Sequence, residues 1–133
     1  SKNTIIDFME DQNSEMRKGG TMRLGSYPCA VRPDSLLNRL YKQEMIDERH
    51  RHRFEFNNYY RSDFEHNGML ISGTSPDKQL VEAIESINHP FYIGVQFHPE
   101  FKSRPNRAHP LFVGLIEASL KNRNDEKSFI HCK

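Results

Sequence analysis

Three apolar runs of strand length, residues 69–72, 80–84 and 91–97, follow one another with only turn-forming residues between them: Ser75-Pro76-Asp77 and Asn88-His89-Pro90. This succession constrains the fold more than any other feature. A doubly wound sheet needs crossover helices between its central strands, and the chain supplies few. It therefore reads as the edge and second half of such a fold, with a mixed sheet, flanking helices and an exposed face or edge that a further segment would cover. His109-Pro110 opens the one long helix, residues 111–120. Its apolar Leu111, Phe112, Leu115, Ile116 and Leu120 share one face and are expected to lie over the sheet.

Upstream, residues 4–9 form a brief apolar patch and residues 10–18 a polar stretch without periodicity, expected to be a mobile loop. Gly19-Gly20 precedes a strand pair or bent strand over residues 21–31. Ser35 caps a short helix that should end near Lys42. Residues 45–56 read as a strand leaving into the turn Asn57-Asn58, and residues 59–66 as a helical turn or two stopped by Asn67-Gly68. The last residues, 122–133, are polar and expected to fray. The expected division is an N-terminal loop over 1–18, one half-domain over 19–122 and a polar tail over 123–133.

At 133 residues the chain can bury one modest core. A net charge of +1 gives no field to attract a nucleic acid or an anionic membrane. No apolar run reaches the length of a membrane span. Cys29 and Cys132 are too few for a disulfide framework and match no zinc spacing, which suits a reducing, cytoplasmic setting.

The chemistry concentrates in Gly94-Val95-Gln96-Phe97-His98-Pro99-Glu100, where an apolar strand stops at a histidine followed by a proline and a carboxylate. Two positions after His98, Glu100 can fold back, accept an imidazole N–H and fix the tautomer, which suits general-base work. A structural alternative has His98 ending a strand and Glu100 capping the next turn. The stretch resembles the histidine-glutamate motif of class I, triad-type, glutamine amidotransferases. Gly19-Gly20-Thr21-Met22-Arg23-Leu24-Gly25 and Glu48-Arg49-His50-Arg51-His52-Arg53-Phe54-Glu55 are similar to the CTP synthase branch of that family in particular. So are Phe101-Lys102-Ser103-Arg104-Pro105 and His109-Pro110-Leu111-Phe112.

The resemblance implies the C-terminal half of a flavodoxin-like α/β amidotransferase domain. It implies His98 as the base that activates a cysteine thiol, Glu100 as its orienter, and Arg53 as the residue that binds the α-carboxylate of L-glutamine through its planar fork. It also implies a parent ligase of pyrimidine nucleotide biosynthesis that makes CTP from UTP, ATP and glutamine. That parent has an N-terminal synthetase domain, uses ATP and Mg²⁺, is activated by GTP and is typically a homotetramer. No cofactor is expected on this chain itself.

The departure is the nucleophile. The family sets its cysteine in a Gly-x-Cys-x-Gly turn, where backbone N–H groups favour thiolate and oxyanion. Cys29 lies in a β-like Tyr27-Pro28-Cys29-Ala30-Val31 without flanking glycines, and Cys132 in the charged tail. The expectation is that the thiol lies upstream of Ser1, on a partner half-domain. An alternative is an inactive regulatory or scaffolding remnant. His50 and His52, with Arg49, Arg51, Arg53 and Arg61, could suggest a metal or RNA site. Alternation in a strand instead points the two histidines one way and Arg49, Arg51 and Arg53 the other. A salt-bridged strand with Glu48 and Glu55 nearby is the preferred reading, without a metal.

Overall fold

The computed structural model describes residues 3–8 and 22–130. The readings for residues 9–21, Gly19-Gly20-Thr21 among them, and for Cys132 lie outside the described residues. The elements run β1 (Ile6–Phe8), β2 (Arg23–Val31), α1 (Leu36–Tyr41), β3 (Met45–His52), β4 (Phe54–Phe56), α2 (Arg61–His66), β5 (Met69–Thr74), β6 (Val81–Ser86), β7 (Ile93–Val95) and α3 (Pro110–Ile130). Short 3₁₀ turns occupy Asn58–Tyr60 and Pro99–Phe101.

A five-stranded sheet has the order β3-β2-β5-β6-β7, and β1 pairs with β4 beside it. The chain has the α/β character expected, and within it each strand pairing among the described residues is antiparallel. The connections from β5 to β6 and β6 to β7 are too short for a parallel crossover. Arg23–Val31 forms one strand, β2, not a pair. Pro28 is tolerated inside it because β5 pairs only with Ala30 and Val31, leaving that edge of β2 free at Pro28.

Residues 45–56 break into two strands at Arg53. Up to His52 the chain pairs with β2, Arg23 opposite His52. Beyond Arg53 it leaves that partner, and Phe54–Phe56 pairs with β1. Burial alternates along β3: Ile46, Glu48 and His50 are buried, Asp47, Arg49 and Arg51 exposed.

Helix α1 is fixed at both ends. The Ser35 hydroxyl accepts the Asn38 N–H at 3.0 Å, and the Glu85 carboxylate accepts those of Leu36 and Leu37 at 2.8 and 3.2 Å. Lys42 closes it in the left-handed region at φ 54°. The main core gathers Cys29, Val31, Leu37, Ile46, Ala83, Phe97 and Leu111; a second cluster joins Phe56, Ile71 and Val81.

Helix α3 departs from expectation in two ways. It continues to Ile130 rather than ending near Leu120. Only part of its apolar stripe is covered: Leu111 is buried, while Phe112, Leu115, Ile116 and Leu120 are 41–60% exposed. The helix meets α1 instead through Gly114, where a Cβ would stand 2.5 Å from Leu40 Cδ2 and 2.9 Å from Phe91 Cε2.

Candidate active site

Strand β7 delivers the candidate base. After Val95 the Gln96 N–H still donates to Glu82 O at 2.9 Å, Phe97 plunges into the core, and the His98 N–H donates to Arg49 O at 2.8 Å. Pro99 then begins a 3₁₀ turn that carries Glu100 back towards the ring. His98 Nδ1 lies 2.6 Å from Glu100 Oε1. A carboxylate can only accept there, so the proton sits on Nδ1 and Nε2 keeps its lone pair. That hydrogen bond also holds the Glu100 carboxyl below its usual range. The imidazole stacks on Phe101 at 5.0 Å and 18°, which fixes its plane, and about a third of its side chain stays exposed. A local pair, one ring nitrogen oriented and the other available, is the arrangement a general base needs.

Arg53 sits at the break between β3 and β4, half-buried, and makes no hydrogen bond or ion pair with another described residue. Its segment lies against that of His98, since Arg49 O receives the His98 N–H and Gln96 Nε2 donates to Phe54 O at 3.5 Å. The structure thus brings the segments of His98, Glu100 and Arg53 together.

Cys29 stands apart from this constellation in character. It is fully buried in the main core, and burial, followed by the Glu82 charge, pushes its thiol up to about 12. That environment opposes thiolate formation.

Beneath the site is a buried charged network that sequence reading did not assemble. Arg23 Nη2 donates to Glu82 Oε1 at 2.6 Å, and Nη1 to Glu55 Oε1 at 3.5 Å. The guanidinium lies 4.4 Å above the Tyr27 ring. Burial raises Glu55 to about 7 against the pull of Arg23, and raises Glu82 as well. His50 and His52 lie on one face, as their alternation foretold, and both reach this network. His52 Nδ1 donates to Phe54 O at 3.0 Å, so its Nε2 accepts from His50 Nδ1 at 2.8 Å. His50 Nε2 is then left facing Glu82 Oε2 at 3.7 Å, both atoms buried and otherwise without a partner. That separation is too long for a hydrogen bond, and burial, which raises Glu82 and lowers His50 to about 3, disfavours charge on either group. Among the described residues no three His, Cys, Asp or Glu side chains converge as metal ligands.

Glu48 does not join that network. Its Oε1 accepts from Tyr41 Oη and from His109 Nε2, each at 3.0 Å, which ties β3 to α1 and to the start of α3.

The family model described as glutamine amidotransferase class-I matches residues 3–118. A CTP synthase of Microcystis aeruginosa is 59% identical over 126 residues, 95% of this chain and 23% of that protein. A CTP synthase of Aquifex aeolicus is 56% identical over 117 residues, 88% of this chain and 22% of that protein. Among solved structures, the glutaminase domain of Trypanosoma brucei CTPS with bound acivicin superposes with a TM-score of 0.80 at 32% identity, covering 88% of this chain and 46% of that one. The chain thus spans less than a quarter of the length of these curated relatives. Sequence and fold agree over the matched residues, and the chain belongs to the class I glutamine amidotransferase family.

Proposed function

We propose that this chain is the histidine-bearing part of the glutamine-hydrolysing domain of a CTP synthase. The observation that carries the reading is the 2.6 Å bond from His98 Nδ1 to Glu100, which leaves Nε2 as the proton acceptor. Arg53, with no partner among the described residues, supplies a guanidinium for the α-carboxylate of glutamine.

In this reading His98 Nε2 takes the proton of a cysteine thiol, and the sulfur attacks the amide carbon of the glutamine side chain. The imidazolium returns the proton to the leaving nitrogen, ammonia departs and a thioester remains. His98 then deprotonates a water that cleaves the thioester, releasing glutamate and restoring the thiol. Glu100 holds the ring in one tautomer and stabilises the imidazolium at each stage.

The buried Cys29 is a poor source of that thiol, so the nucleophile is assigned to a polypeptide upstream of residue 1. Ammonia passes to a synthetase domain, where UTP is aminated to CTP with ATP and Mg²⁺, under GTP activation and in a homotetramer. The site for that chemistry is placed outside this chain, in the cytoplasm.

The test is ammonia release from glutamine by this chain alone and after mixing with a polypeptide carrying the upstream half-domain. The expected result is silence alone and release on mixing. Release by the chain alone would overturn the assignment and return the nucleophile to Cys29 or Cys132.

A further inference from the structure

Next to the His98 site, and separated from it by the Phe101 ring, an open cleft of ≈ 300 Å³ is lined by Ser26, Arg49, Phe101, Lys102, Arg104 and Arg107. Four cations line it and no carboxylate does. The chain as a whole carries only +1, so this concentration is local and not a reflection of a basic protein. Among the described residues no carboxylate pairs with Arg49, Arg104 or Arg107, and Lys102 Nζ lies 4.0 Å from Glu48 Oε1, which does not line the cleft.

The cationic wall is built rather than scattered. Arg104 and Arg107 exchange main-chain hydrogen bonds of 3.1 and 3.0 Å, which locks the two positions into one bridge. Arg104 Nη1 donates to Phe101 O at 3.1 Å and to Ser103 O at 2.7 Å, holding that guanidinium by one nitrogen and leaving the others to the cleft. Lys102 Nζ is anchored on Asp47 O. Phe101 is already engaged by the stacked His98 imidazole and by the Arg49 guanidinium at 6.0 Å. What the cleft offers is charge and N–H donors, plus the Ser26 hydroxyl, in a volume that suits a small polyanion.

We propose that this cleft binds a phosphate-bearing small molecule through its phosphate oxygens. The guanidinium fork matches two phosphate oxygens at once, and fixed guanidinium groups without a carboxylate partner lose little on engaging them. The site stands independently of the glutamine reading, because its binding is measured without glutamine.

The experiment is calorimetric titration of the chain with pyrophosphate at about 0.15 M salt, where interactions between dispersed surface charges are largely screened. Wild type, Arg104→Ala/Arg107→Ala and the control Lys121→Ala are compared. All three replaced residues are exposed, and unchanged far-UV circular dichroism establishes that each variant is folded. The expected outcome is saturable binding by wild type and Lys121→Ala, weakened about tenfold or more in the double variant, as charge-assisted bonds are lost. Absence of saturable binding by wild type, or equal affinity in the double variant, would overturn the proposal.

Discussion

Replacing Arg23 by Met should be the most damaging single change to the scaffold under the site. The Arg23 side chain is 5% exposed, and its two carboxylate partners, at 2.6 and 3.5 Å, are 0% and 6% exposed. Loss of the guanidinium leaves both Glu82 and Glu55 buried without a cation, and breaking a buried pair this way costs about 3–5 kcal/mol. Against a typical stability of about 5–15 kcal/mol, that is a large fraction. Methionine keeps much of the side-chain volume, so the electrostatic cost is isolated from a cavity. Urea unfolding followed by far-UV circular dichroism measures it. The same change in a Glu55→Gln/Glu82→Gln background should cost far less, about 1 kcal/mol, because the stranded charges are gone. The loss should also shrink with acid. Glu55, raised to about 7, and Glu82, raised in the same direction, bind protons more tightly folded than unfolded. Their contribution is therefore present below the usual carboxylate range and lost as pH rises, for Glu55 through about 7. A loss below about 1 kcal/mol, or an equal loss in both backgrounds, would refute the idea that Arg23 serves chiefly to neutralise these carboxylates.

Arg53→Ala in the full-length protein should raise the KM for glutamine about 10- to 100-fold, the worth of a charged hydrogen-bond pair, with a smaller effect on kcat. An unaltered glutamine dependence removes Arg53 from the substrate site. Cys29 should resist thiol reagents in the folded chain, since burial pushes it up to about 12, and should label rapidly only in urea. Fast labelling of the native protein would contradict its place in the core. Acid should destabilise the chain through His50: its pKa falls from an ordinary 6.5 to about 3 on folding, so its contribution is full above 6.5 and lost as pH drops towards 3. His50→Gln should flatten the acid limb of the stability–pH curve, and an unchanged limb counts against a buried neutral imidazole.

Local features were the legible ones. His98 and Glu100 are two residues apart, so their pairing could be inferred from a proline-fixed turn, and it is present at 2.6 Å. Strand alternation correctly put His50 and His52 on one face. What alternation could not say is that this face points inward onto carboxylates 32 or 59 residues from Arg23 in sequence, because those contacts depend on strand order. The break at Arg53 was hidden for the same reason: nothing between residues 45 and 56 announces that Phe54–Phe56 changes partner to β1. Helical periodicity found the apolar stripe of α3 but not what covers it. Gly114, small enough to touch Leu40, decides which side of the helix packs.

His98 is the base of glutamine hydrolysis in the proposed function, and ammonia release by the full-length protein carrying His98→Ala tests that role most directly. A loss of about 10²- to 10⁴-fold in kcat, the usual worth of a positioned general base, is predicted with the fold intact. Ammonia release at the wild-type rate would contradict it.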